Sequence, residues 1–211
     1  MAGCASGMTG IRGCLIGALL AAGLCGPVAA APSATETVVL VRHGEKPALG
    51  LGQLDCQGLN RALALPAVIA RDFGKPVAIF APDPAEKRDD LGQPYDYVRP
   101  LATIEPAAIA FGLPIDAGIG VSNIAGLRQA LEAPAYHGAF VLVAWEHSDI
   151  VDLVRAMMKA HGGDPAAIPD WNGRDFDSIF VVRLTWTGEA ATIGFEKRAE
   201  GLDGQPMACP G

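Results

Sequence analysis

Residues 38–45 read Val-Val-Leu-Val-Arg-His-Gly-Glu. Four apolar, mostly β-branched residues make the pattern of a strand buried on both faces. The run then passes straight into an arginine, a histidine and a glycine. A strand interior gains nothing from a guanidinium beside an imidazole. A phosphate-handling site at the carboxyl end of a strand uses both.

Two more apolar runs of strand length follow, at 77–81 and 139–145. Between and after them the sequence predicts helices over 57–73 (with a kink or break at Pro66), 99–111 and 122–132. A further helix starts at Ser148, which suits an N-cap, with Asp149 in the positive first turn. Its apolar face is Ile150, Leu153, Val154, Met157 and Met158. Residues 178–187 and 191–195, joined through Gly188-Glu189, read as an antiparallel hairpin. Residues 82–98 read as a polar loop with Asp83, Asp89 and Asp90 on a solvated face. This alternation predicts an α/β chain, a three-layer α/β/α sandwich with a largely parallel sheet and an antiparallel C-terminal edge hairpin. Open parallel sheets place their sites beyond the carboxyl ends of strands. Arg42-His43, Arg99 and His147 all fall on that rim.

Composition narrows the function classes. The chain has 211 residues and a net charge of −7, so a basic nucleic-acid surface is not expected. Residues 1–30 carry one charge, Arg12, then an apolar run from Leu15 and a small-residue stretch to Pro32. This is the pattern of a secretory signal peptide cut after Ala30 or Ala31. The domain is then 31–211, exported to a periplasmic or secreted location, with no stable membrane insertion after cleavage. Loss of the leader leaves two cysteines, Cys56 and Cys209, which either pair in an oxidising compartment or stay free. Two cysteines without clustered histidines do not make a metal site, and no cofactor is implied.

Two imidazoles and two guanidiniums on one rim suit phosphoryl transfer, which needs positioning and charge stabilisation. A neutral imidazole is a competent nucleophile near pH 7, and neighbouring arginines keep it neutral. Arg42-His43-Gly44-Glu45 resembles the RHG signature of the histidine phosphatase superfamily, the phosphoglycerate mutase-like fold. Residues 54–62 stand where that family starts its first helix. Arg99-Pro-Leu-Ala-Thr103 is similar to its R-x-x-x-T element, and residues 141–147 to the strand before its second histidine. The resemblance runs from about residue 37 to 197. It implies a phosphomonoesterase working without metal through a phosphohistidine on His43, with Arg42, Arg99 and His147 forming the phosphate pocket. The substrate is expected to be a small phosphorylated compound or a phosphoprotein.

The chain departs from the family pattern at the proton donor. Some members use a glutamate well past the second arginine, but Asp116 is the only acid between Glu105 and Glu132. Others use an aspartate directly after the second histidine, where this chain has Ser148. Glu45, Glu146, Asp149 and Asp116 remain candidates. Arg88 competes with Arg99, though no threonine follows it at the matching spacing. Tyr95 and Tyr97 are candidates to border the substrate. A catalytically weak module that binds or senses phosphoryl ligands in the same pocket is the alternative reading.

Overall fold

Four parallel strands and an antiparallel hairpin form one six-stranded sheet in the computed structural model, which describes residues 33–211. The expected signal peptide and its cleavage site lie outside the described residues. The elements run β1 (Ser33–Arg42), α1 (Cys56–Asp72), β2 (Ala78–Pro82), β3 (Lys87–Asp90), β4 (Gln93–Asp96), α2 (Arg99–Phe111), β5 (Ile115–Ile119), α3 (Ile124–Leu131), β6 (Phe140–Trp145), α4 (His147–Ala160), β7 (Ser178–Thr187) and β8 (Ala190–Ala199). The sheet order is β5-β2-β6-β1-β7-β8. β5, β2, β6 and β1 pair in parallel, and β7 and β8 close the sheet antiparallel. No helix among the described residues is long and apolar enough to cross a membrane.

Strand alternation divides the core in two. Val38 and Leu40 pack with Leu127, Leu131, Val154 and Met157 of α3 and α4. Val39 and Val41 point the other way and pack with Leu65, Ile69, Ile104 and Ala107 of α1 and α2. Helices therefore cover both faces, giving the expected three layers. Each strand residue is buried whichever way it points, which is why the run at 38–41 is continuously apolar.

Several elements differ from expectation. α1 runs unbroken through Pro66. α4 begins at His147 with Glu146 as the capping residue, so Ser148 lies inside the helix and is not its cap. β5 is a short edge strand whose alternating half-buried pattern includes Gly118. Within 82–98 a two-stranded hairpin, β3–β4, replaces the expected loop. It turns at Leu91 and Gly92, both at positive φ as its two-residue turn requires, and Lys87 bridges it to Asp96 (2.7 Å).

Cys56 and Cys209 form a disulfide, with Cα atoms 4.5 Å apart. It ties the C-terminal tail to the first turn of α1. It closes a loop of sequence separation 153, worth on the order of 4–5 kcal/mol in the chain-entropy view. That same turn is wedged against the segment after β1. A side chain at Gly44 would meet Gly58 backbone at 2.9 Å, and one at Gly58 would meet the Glu45 carbonyl oxygen at 2.3 Å.

Two outcomes follow from this packing. Gly58→Ala forces backbone apart and lowers the urea unfolding free energy by roughly 1–3 kcal/mol. Gly194→Ala, with open space at its Cβ, changes it by no more than about 0.5 kcal/mol. The second concerns Glu36, wholly buried on β1 with one oxygen accepting from Trp186 Nε1 (2.9 Å) and the other unpartnered. Burial, opposed by the Trp186 bond and aided by Glu132, pushes its carboxyl up to about 7. The folded state thus binds this proton more tightly than the unfolded chain. Its contribution is whole below pH 4.5 and is lost as pH rises through about 7, with a slope of at most about 1.4 kcal/mol per pH unit. Urea titrations between pH 5 and 7.5 should show that fall, and Glu36→Gln should remove it.

Candidate active site

Strand register builds the centre of the site. β1 and β6 run parallel with Val41 opposite Ala144 and Arg42 opposite Trp145. The next residues, His43 and Glu146, therefore leave the ladder side by side, and the His43 N–H still donates to the Trp145 carbonyl (3.2 Å). His43 is 1% exposed. Its Nδ1 lies 2.7 Å from the Gly44 carbonyl oxygen and must donate to it, which leaves Nε2 as the ring nitrogen that faces the cluster. Nε2 sits 3.0 Å from Glu146 Oε2. Burial, opposed by Glu146 and reinforced by the Arg42 charge, holds the His43 pKa below its ordinary value. Glu146 Oε1 stands against His147 Nδ1. One carboxylate thus lies between the two imidazoles.

The arginines arrive from different elements. Arg42 stacks its guanidinium 3.9 Å above the Phe176 ring and donates through one terminal nitrogen to the carbonyls of Gly173 (2.9 Å) and Asp175 (3.0 Å). Arg99 opens α2, where the Val98 and Arg99 N–H groups donate to the Gly52 carbonyl (3.0 and 3.1 Å). Its guanidinium donates to Asp90, which also accepts from Lys46 (2.6 Å). Both arginines keep a buried Nε with no protein partner. The spacing of Arg99 and Thr103 has a physical reason. Thr103 lies one turn on, donates to the Arg99 carbonyl (2.8 Å) and accepts the Gly44 N–H (2.9 Å), so α2 holds the loop that carries His43.

Tyr97 is 1% exposed, donates its hydroxyl to Glu146 Oε2, and lies between the guanidiniums of Arg99 (4.7 Å to its ring) and Arg88 (5.7 Å). Burial, reinforced by the Glu146 charge, pushes the phenol pKa well above its ordinary value, so Tyr97 keeps its proton. Burial alone would raise the Glu146 pKa. The close approach of His147 and the hydrogen bonds from His43 and Tyr97 outweigh it and hold the carboxyl far below its ordinary range.

The structure therefore brings together Arg42, His43, Tyr97, Arg99, Glu146 and His147. Arg88 lies at the edge, paired with Asp149 (2.5 Å), whose carboxyl burial raises to about 6 with the Glu146 charge adding to it. Glu45 turns away to grip Arg61 through both oxygens (2.8 and 3.0 Å). Arg61, wholly buried, also reaches Asp177 and Glu200, so Glu45 braces the loop. Asp116 caps the Gly118 N–H on the edge strand β5 and does not join the cluster. Tyr95 lies on β4 opposite Arg88, with its Cβ against Gly52.

Sequence reasoning missed two parts. Asp90, expected on a solvated face, is buried between Arg99 and Lys46, because the β3–β4 hairpin folds it inward. The segment 173–176, which holds Arg42 and passes beside His147, carried no signal beyond that of a polar loop. A cleft of about 270 Å³ opens at His147, with Ser148, Asp152, Arg155 and Trp171 among its walls. A larger one, about 540 Å³, lies against the disulfide, and none of its lining residues belongs to the cluster.

These features define a class: an α/β/α sandwich with a histidine and arginines at the parallel-strand rim. No protein-family model matches the sequence, and no curated protein matches it. Among solved structures, the chain is similar to mycobacterial glucosyl-3-phosphoglycerate phosphatase in two forms. The native form shares 12% identity at a TM-score of 0.50 and covers 76% of this chain and 97% of its own. The complex with inorganic phosphate shares 16% identity at a TM-score of 0.50, over 76% and 95%. A phosphoserine phosphatase from Entamoeba histolytica, at 8% identity and a TM-score of 0.46, covers 79% and 98%. At these identities the likeness is one of fold.

The unpartnered donors of two buried arginines give a direct measurement. Inorganic phosphate at about a hundred times its dissociation constant should stabilise the protein by roughly 2.7 kcal/mol, read as a rise in Tm. The rise should vanish in Arg42→Ala and in Arg99→Ala. A phosphate-induced shift that survives both substitutions would remove these arginines from the anion site.

Proposed function

We propose that the protein is an exported phosphatase that hydrolyses phosphomonoesters through a phosphohistidine on His43, without a metal ion. One observation carries the reading. His43 is buried, its Nδ1 is committed to the Gly44 carbonyl, and its Nε2 sits on the parallel-strand rim in a cluster that includes Arg42, Arg99 and His147. An imidazole that keeps its Nδ1 proton on a carbonyl becomes a nucleophile once Nε2 is freed of its proton, and guanidiniums match the oxygens of a transferring phosphoryl group. The solved proteins of similar fold are phosphatases by name, and one was solved with inorganic phosphate. The substrate is a small phosphorylated compound or a phosphoprotein. Nucleic acid does not fit an acidic chain.

Export rests on the leader-like composition of residues 1–30 and is supported by the Cys56–Cys209 bond, which belongs in an oxidising compartment. A second reading, a phosphoryl-binding or sensory module with feeble turnover, is favoured by one feature: the Glu146 carboxylate already stands beside Nε2 as a resident anion.

Purified protein should hydrolyse p-nitrophenyl phosphate in the presence of chelator, and an acid-labile, alkali-stable phosphoryl group should be trapped on His43. His43→Ala should lose at least about 10³-fold in kcat/KM. Full activity in His43→Ala overturns the reading, and a phosphohistidine burst without turnover selects the sensory module.

A further inference from the structure

We propose that Glu146 is the general acid and base of this hydrolysis and that Tyr97 is the residue that positions its carboxyl group. The inference rests on the phosphohistidine reading and assigns the proton donor that the sequence left open. Of the four candidate carboxyls, Glu45 is closed on Arg61, Asp116 accepts from the Gly118 N–H on the edge strand β5, and Asp149 is paired with Arg88. Glu146 touches the nucleophile's reactive nitrogen, and at 13% side-chain exposure it is shielded without being sealed. Its position is dictated by the β1–β6 register and by the Tyr97 hydroxyl.

The proton count follows from the geometry. Nδ1 carries one proton, committed to the Gly44 carbonyl. A carboxylate oxygen 3.0 Å from Nε2 is attracted to it only if a second proton lies between them. The His43–Glu146 pair therefore shares one proton at rest. A phosphoryl group that enters between them separates the pair. It takes away the His43 hydrogen bond that kept Glu146 ionised and sets negative charge beside a largely buried carboxyl. The shared proton then resides on Glu146, and Nε2 is left with a free lone pair.

In the first step Nε2 forms the N–P bond, the bond from phosphorus to the leaving oxygen breaks, and Glu146 gives its proton to that oxygen. The products are N-phosphoryl-His43, the alcohol and the Glu146 carboxylate. In the second step that carboxylate takes a proton from water as the water oxygen bonds to phosphorus. The N–P bond breaks, its electron pair returns to Nε2, phosphate leaves, and the proton is shared again. Tyr97 stays protonated throughout and acts through Glu146. The charged and titratable groups facing Glu146 are Arg42 at the end of β1, His43 after it, Tyr97 before α2, and His147 and Asp149 on α4, with Arg99 and Arg88 beyond the Tyr97 ring.

The test is a leaving-group series on the full chain, from p-nitrophenyl phosphate to simple alkyl phosphates. Wild type should show kcat/KM nearly independent of leaving-group basicity, a readout that needs no variant. Glu146→Gln should lose about 10²–10³-fold on alkyl phosphates. On p-nitrophenyl phosphate, whose leaving group needs no proton, it should still form phospho-His43, which then accumulates. Tyr97→Phe should lose about tenfold and move the acid limb of the pH profile, while Asp149→Asn should leave the leaving-group dependence flat. A steep dependence in wild type, full alkyl phosphatase activity in Glu146→Gln, faster turnover in that variant, or the same loss in Asp149→Asn each overturns the assignment. Those results leave the phosphohistidine reading standing, whereas activity in His43→Ala removes that reading itself.

Discussion

The parallel pairing of β1 with β6 is the constraint on which the rest depends. Arg42 sits opposite Trp145, and so His43 and Glu146 emerge together at the end of the ladder. The register is strongly specified because both faces of β1 are buried. A slip of one residue would turn Val39 and Val41 toward α3 and α4 and carry every side chain to the wrong core. It would also separate the nucleophilic nitrogen from the carboxylate. Core packing and site assembly are thus one requirement.

Concentrating charge at a buried rim is costly, and the molecule meets the cost by drawing each partner from a different part of the chain. Arg42 is held by carbonyls of the 173–176 segment, Arg99 by Asp90 on the hairpin, and Asp90 in turn by Lys46. Behind the loop that carries His43, Arg61 gathers Glu45, Asp177 and Glu200. Burial drives the Glu200 carboxyl up to about 8 against the opposing pull of the Arg61 charge. The disulfide and the bonds from Asn60 to the carbonyls of Pro206 and Ala208 lock the tail over the same turn of α1. Rigid support on one side of Gly44–Glu45 and an ionic network on the other hold the His43 ring in one orientation.

This division explains what the sequence revealed. The three continuous apolar runs could be read because a strand covered on both faces has no alternative partner, and α4 because its apolar face repeats at helical spacing. Arg42, His43, Arg99 and His147 could be placed on the rim for the same reason: each follows or opens such an element. β3 and β4 could not be read. Lys-Arg-Asp-Asp and Gln-Pro-Tyr-Asp carry no apolar alternation, and they are held by the Lys87–Asp96 and Asp90–Arg99 ion pairs nearby and by Arg88–Asp149 and Asp90–Lys46 to residues distant in sequence. Asp90 looked solvated for that reason. Tyr97 was visible as a candidate, but its bond to Glu146 exists only once the hairpin has closed on the sheet. Whether Cys56 and Cys209 bond stayed open in the sequence, since sequence separation carries no information about distance.

The carboxylate at the centre of the site also bears on what the site can accept. At rest Glu146 supplies the anion that two imidazoles and a phenol would otherwise lack, so the site is not a bare cluster of donors. An incoming group must do better than a carboxylate already tethered there. A monoanion with two oxygens offers Arg42 and Arg99 little that Glu146 does not. A phosphoryl dianion brings a second charge and a third terminal oxygen, which suit the paired guanidiniums better than a carboxylate does. It also turns the displaced carboxylate into a proton carrier, because the shared proton must go with one member of the separated pair. Selection for dianions and the supply of the leaving-group proton then arise from the same displacement.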